Sequence, residues 1–122
     1  MSVKNINSLS GSLPLFSRNI TLSNGQTDAT DIIDLQGTAL LSIYIPTGFT
    51  GNSLSFKVDS NLASDNLKQF KASDGTEINM AVSPDTCIGI VPLDFAGVRF
   101  LQIVSNVSQV GDIEFIIKAR RV

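Results

Sequence analysis

Short segments of alternating apolar and polar residues follow one another along this chain, separated by turn residues. In residues 53–59, Leu54, Phe56 and Val58 alternate with polar neighbours, and residues 112–120 show the same period. Because successive side chains of a strand point to opposite faces, this pattern predicts strands with one buried and one wet face.

Residues 92–105 contain the longest strand-like run. The turn residues 92–97 precede a run, 98–105, with bulky apolar groups on both faces, which is typical of a central strand covered on both sides. We expect Phe95 to plug the end of the fold. We expect the stem of Arg99 to lie on apolar surface, with its guanidinium paired to a nearby carboxylate such as Asp94.

The other segments with strand character complete an all-β pattern. They are residues 16–22, 30–35, 38–45, 67–72, 76–82 and 86–91. Turn residues at Gln36–Gly37 and Asp74–Gly75 predict two hairpins between consecutive strands. No long window has the apolar period of a helix, so the sequence predicts an antiparallel β-sandwich of about nine strands.

The first fifteen residues have a different character. Residues 1–15 are rich in serine and asparagine and show no sustained period, which predicts an extended N-terminal arm before a single sandwich domain, residues 16–122. Leu9 and Leu13 are too apolar for a fully solvated tail. The arm therefore lies along its own sandwich or reaches onto a neighbouring subunit, and the sequence leaves both alternatives open.

Composition excludes several functional classes. Nine basic and eleven acidic residues give a net charge of −2, which provides no positive field to attract nucleic acid. No segment reaches the ~18 apolar residues of a membrane span. We therefore expect neither a nucleic acid nor a membrane as partner, and synthesis in a cytoplasm.

Catalytic chemistry has little support. The chain has no histidine, and its single cysteine, Cys87, is expected to be a small core residue beside Ile88 and Ile90. The two glutamates, Glu77 and Glu114, occupy outward strand positions and do not suggest a glycosidase pair. The sequence predicts a protein that is not an enzyme.

A metal site also has weak support. Asp28, Asp31 and Asp34 are spaced by three residues, but in a strand the last two would point to opposite faces. We therefore expect no metal and no cofactor.

Carbohydrate binding is a stronger alternative than catalysis or metal binding. Sugar faces usually stack on Trp or Tyr, whereas this chain has no Trp and a single tyrosine, Tyr44, in a strand that we expect to be core. Phe49, in a glycine-flanked loop, is the aromatic side chain that we expect to be exposed, as an interface plug. Leu9, Leu13 and Phe49 are therefore the candidate interface residues.

Several segments carry a resemblance to a known family. They are residues 32–40, 45–51 and 54–58, the turn Asp74-Gly75-Thr76 and, above all, Pro92-Leu93-Asp94-Phe95-Ala96-Gly97-Val98-Arg99-Phe100-Leu101. The chain resembles a family of small virion structural proteins of tailed bacteriophages and prophages, over roughly residues 30–120.

The resemblance implies a capsid decoration, or cement, protein: a β-sandwich on the capsid surface that braces neighbouring capsomers. Its implied partners are the major capsid protein and further copies of itself, as a trimer or dimer, after synthesis in the host cytoplasm. The alternative is a carbohydrate- or receptor-binding β-sandwich module of a phage tail or fibre.

Overall fold

The computed structural model describes residues 15–35, 38–59, 67–90 and 98–121. Nine strands occur in this part of the chain: β1 (Leu15–Leu22), β2 (Ile33–Asp34), β3 (Thr38–Ile45), β4 (Ser53–Asp59), β5 (Lys68–Gln69), β6 (Met80–Ala81), β7 (Thr86–Gly89), β8 (Phe100–Ser105) and β9 (Ile113–Arg121). The described residues form no helix, so the predicted all-β class is confirmed.

The strands form two antiparallel sheets. The four-stranded sheet has the order β1-β9-β3-β7, and the five-stranded sheet has the order β2-β8-β4-β5, with β6 also paired to β4. Apolar side chains from both sheets form one core, and the fully buried ones include Leu54 and Phe56 of β4 and Phe115 of β9. The predicted sandwich and the inward face of residues 53–59 are thus confirmed.

The predicted central strand lies inside its sheet. β8 pairs with β2 on one side and with β4 on the other, and Phe100 and Leu101 are both buried although they face opposite ways. Arg99 forms its ion pair with Asp34 at 3.3 Å, and its guanidinium lies 4.9 Å from the centre of the Phe100 ring. The preceding turn, with Asp94 and Phe95, lies outside the described residues.

One predicted hairpin is wrong and the other is confirmed. β2 and β3 belong to different sheets, so the predicted hairpin between them is absent, although the amide of Thr38 donates to the carbonyl of Leu35 (2.8 Å) as in a tight turn. At Asp74–Gly75, the amide of Gly75 donates to the carbonyl of Ala72 and the flanking residues pair. This turn therefore closes the expected hairpin.

Two residues that we expected in the core lie on the outer face of the four-stranded sheet. Tyr44 is 43% exposed and Cys87 is exposed, and the two are register partners on β3 and β7. The reason is strand parity: Ile43 and Ile45 point inward, so Tyr44 between them points outward. The prediction that these two side chains are buried was wrong.

Candidate interaction site

The structure changes the set of candidate interface residues. Leu9 and Leu13 lie outside the described residues. Phe49 is only 4% exposed, and its ring packs against Phe115 with a centroid distance of 5.8 Å. The amide of Phe49 donates to the carbonyl of Pro46, and this turn folds the ring back into the core. The expectation that Phe49 is exposed was wrong.

The loop that carries Phe49 belongs to a larger surface at one end of the sandwich. At this end β1, β3 and β8 finish, while β4, β7 and β9 begin. We call the loops at this end the loop platform; it consists of residues 23–27, 46–52, 82–85 and 106–112. The platform contains no lysine or arginine, and its charged residues are Asp85 and Asp112. The platform therefore carries little charge, and that charge is negative.

A buried glutamine holds three loops of the platform together. The side-chain oxygen of Gln109 accepts from the amide of Thr50 (2.8 Å), and its side-chain nitrogen donates to the carbonyl of Thr50 (2.7 Å) and to Ser105 Oγ (3.0 Å). Its backbone amide donates to the carbonyl of Gln26, and its carbonyl accepts from the amide of Gly25. Both the oxygen and the nitrogen of the Gln109 side chain thus have hydrogen-bond partners, and these bonds fix the relative positions of the loops.

A second set of hydrogen bonds fixes the tip of the Phe49 loop. Asn106 Oδ1 accepts from the amides of Asn52 and Ser53, and Asn106 Nδ2 donates to Asn52 Oδ1 at 2.8 Å. Gly51 adopts a positive φ of 122°, and a Cβ atom there would lie 2.6 Å from Asn106 Oδ1. The close approach of the two loops therefore requires glycine at this position.

Two valines of the platform are exposed. Val110 is 81% exposed, and Val107 is 37% exposed. Neither valine was predicted to be exposed, because the aromatic residue of the neighbouring loop was the stronger candidate for a contact. The sequence did contain a signal of their exposure, because both valines lie in the connection between two strands, where polar residues are expected.

The three aspartates considered as a metal site have separate partners. Asp28 forms an ion pair with Lys57 at 2.8 Å, and Asp31 accepts from the amide of Thr21 at 2.8 Å. Asp34 pairs with Arg99. Over the described ranges, no three potential metal-ligating side chains come together. Each aspartate thus stabilises a different contact between segments of the sandwich.

The two glutamates of the chain lie on different sheets. Glu77 belongs to the hairpin beside the five-stranded sheet, whereas Glu114 lies on β9 of the other sheet, and both are exposed. Asp74 accepts from the hydroxyl and the amide of Thr76, and these hydrogen bonds lower the pKa of its carboxyl below 3.8. Its role is to fix the hairpin turn.

A crevice opens between the edges of the two sheets, toward the end where β1 begins. It has a volume of about 510 Å³, and the described residues that line it include Phe16, Arg18, Ile33, Asp34 and Ile117. Arg18 and Asp34 are both exposed. The Asp34 carboxylate and the Thr38 hydroxyl are also part of the lining.

No protein-family model, curated protein or solved structure matches this chain. In the part of the chain that the structure describes, no helix is long and apolar enough to cross a membrane. The case for a function therefore rests on the surfaces described above and on the family resemblance of the sequence.

Proposed function

We propose that this protein is a non-enzymatic capsid decoration protein of a tailed bacteriophage, which docks on the head shell through the loop platform. The observation that carries the proposal is the exposed Val110 on loops that Gln109 fixes in place. The partner is the major capsid protein, and the protein resides on the capsid surface as a homo-oligomer.

The rigidity of the platform supports a docking role. Loops that are already ordered lose little conformational freedom when they bind, so more of the contact energy appears as affinity. Burial of one valine contributes up to about 1.5–2 kcal/mol, which is small for a single copy. On a symmetric shell many such contacts act together, so each interface can be modest.

The low charge of the platform also supports docking. It has no basic residues, and its polar side chains Asn24, Asn52 and Asn106 hydrogen-bond to other parts of the platform. A surface of this kind can be covered by a protein without leaving many charges buried and unpaired. The hydrogen-bonding groups of these three asparagines are engaged within the platform, which makes them less available to a sugar.

Co-sedimentation with expanded, empty capsids of the native virus tests the proposal. Wild-type protein should pellet with the shells, and V110D should bind at least about tenfold more weakly, because it places a charge in the contact. S73D, which adds the same charge to the exposed hairpin turn, is the control and should bind like wild type. Wild-type protein that stays in the supernatant, or V110D that binds normally, contradicts the proposal.

Leu9 and Leu13 remain candidates for contacts between neighbouring subunits. If the arm bridges subunits, a chain without residues 1–14 should bind shells more weakly than the full chain, because a contact between copies is lost. Unchanged binding in the same sedimentation assay would favour an arm that packs on its own sandwich.

A carbohydrate- or receptor-binding module remains the second candidate because Tyr44 is exposed, contrary to the sequence-based expectation. Its ring lies 6.0 Å from Lys118 Nζ, and a polar side chain, Ser42, lies two residues away on the same face. An exposed aromatic ring beside polar groups can stack on the face of a sugar. A glycan array with wild type and Y44A tests it: a hit that Y44A loses supports this candidate, and no hit removes it.

A further inference from the structure

A row of exposed side chains crosses all four strands of the four-stranded sheet. Asn19 of β1 is paired with Ile116 of β9, Ile116 with Tyr44 of β3, and Tyr44 with Cys87 of β7. Paired residues of an antiparallel sheet point to the same face, so these four side chains form one line on the outer face. We call it the cross-strand row.

The centre of this row is apolar and exposed. Tyr44 and Ile116 are adjacent, and Ile116 is 38% exposed. Large apolar side chains that are grouped on a flat sheet face, instead of scattered singly, are typical of interaction sites. The row therefore marks an interaction surface that is distinct from the loop platform.

The charged residues on the two sides of the row have opposite signs. On β9, Glu114 lies two residues before Ile116 and Lys118 two residues after it, and all three point outward. Within the described residues the carboxylate of Glu114 has no hydrogen bond or ion pair. Lys118 Nζ donates to Ser17 Oγ at 3.0 Å and stays partly exposed. One acidic and one basic group thus stand at equal distances from the row.

We propose that this sheet face packs against the same face of a second copy, with a two-fold axis along the cross-strand row. Rotation about that axis reverses the direction of β9, so Glu114 of each copy faces Lys118 of the other. Ile116 and Tyr44 each meet their own counterpart on the axis. Isologous interfaces have this form, because residue i contacts residue j and residue j contacts residue i.

Sheet twist does not prevent this arrangement. Packed sheets cross at about 30°, and Glu114 and Lys118 lie ~7 Å from the axis, so the crossing displaces the opposed groups by about 4 Å. Facing sheets lie ~10 Å apart, and two long side chains span that gap. The two ion pairs of the dimer can therefore form.

The size of the face indicates a weak dimer. With strands ~4.8 Å apart and up to about nine residues long, each copy contributes roughly 500 Å², or about 1,000 Å² in total. This area is near the lower limit for specific interfaces, which points to dissociation constants of about 1–100 µM. This dimer goes beyond the capsid proposal and does not rest on it. Its test therefore uses the isolated protein.

Sedimentation equilibrium of the isolated full chain, from about 1 µM to about 500 µM, tests the dimer. E114K should weaken association at least about tenfold, since it places like charges opposite each other twice. The swap E114K/K118E should restore association to within about threefold of wild type. Because Glu114 is exposed, E114K should keep the wild-type melting temperature.

Cross-linking at Cys87 gives an independent readout, because this is the single cysteine of the chain. At a sheet separation of ~10 Å a direct disulfide is not expected, since it needs Cα atoms within about 7 Å. A short bismaleimide should instead trap wild-type dimers. C87S/A81C, with an exposed cysteine on the other sheet, should give none at the same concentration.

Three results would overturn the proposal. The first is a wild-type chain that stays monomeric over the whole concentration range. The second is a dimer that E114K leaves unchanged, or that E114K weakens and the charge swap does not restore. The third is equal cross-linking of the C87S/A81C control. A monomer that binds a glycan through Tyr44 would likewise assign this face to sugar binding.

Discussion

The substitution Q109A tests whether Gln109 organises the loop platform. The side chain is buried and makes hydrogen bonds to the amide and carbonyl of Thr50 and to Ser105 Oγ. Alanine removes all of these bonds and leaves their partners unpaired beneath the loops. The platform should therefore lose stability, although the two sheets keep their own pairing.

The expected loss follows from the number of groups left unpaired. Each buried unpaired group costs about 1–3 kcal/mol, but water that enters the vacated space satisfies some of them, so we expect about 2–4 kcal/mol in total. For a domain of this size 1 kcal/mol lowers the melting temperature by about 3–5 °C, which gives a decrease of roughly 6–20 °C.

Differential scanning calorimetry measures this decrease, with two glutamines as controls. Gln102 is half-buried and makes one side-chain bond, to the carbonyl of Ala29 at 2.9 Å, so Q102A should cost about 0.5–1.5 kcal/mol. The side chain of Gln26 is exposed, so Q26A should stay within about 0.5 kcal/mol of wild type. A Q109A variant no less stable than Q102A would refute the role given to Gln109.

Two further predictions concern a buried ring and a turn. F49A should lower the free energy of unfolding by about 3–5 kcal/mol, because the ring packs against Phe115 in the core; an unchanged urea midpoint would show that the ring is not buried. In T76V, which lacks the hydroxyl donor, the Asp74 carboxyl should titrate nearer its usual pKa of 3.8 than in wild type, as measured by carbon-13 NMR. Because the wild-type pKa is lowered, the charged carboxylate stabilises the turn above pH 3.8 and loses this effect as the pH falls through the lower value. Identical titration midpoints in both proteins would contradict the hydroxyl contact.

Alternation of apolar and polar residues predicted the parts of the fold that depend on burial. β4 has the predicted bounds, and Leu54 and Phe56 are fully buried. β8 is central because apolar groups on both of its faces must be covered. In these segments the local sequence pattern and the packing of the fold require the same side chains to be buried.

Turn residues were a weaker guide, because a turn does not specify whether its flanking strands pair with each other. The turn between Leu35 and Thr38 carries the chain from one sheet to the other, whereas the turn at Asp74–Gly75 closes a hairpin. Both have local hydrogen bonds of the same kind. The difference arises from the packing of two sheets, which no short segment of sequence contains.

The exposed residues were predicted least well. Strand parity was sufficient to place Tyr44 outward, but its apolar neighbours suggested a strand covered on both faces. Phe49 was expected to be exposed because it lies in a loop, whereas the fold buries its ring and leaves Val110 exposed on the neighbouring loop. The exposure of a loop side chain depends on how several loops meet, and Gln109 determines that here.

Cryo-EM of the parent virus particle tests the central claim most directly, because it locates the chain and its orientation in one measurement. The proposal predicts that the sandwich lies on the head shell, with the loop platform against the major capsid protein and Val110 in the contact. A map in which the chain is absent from the head, or in which Val110 faces solvent, would contradict it.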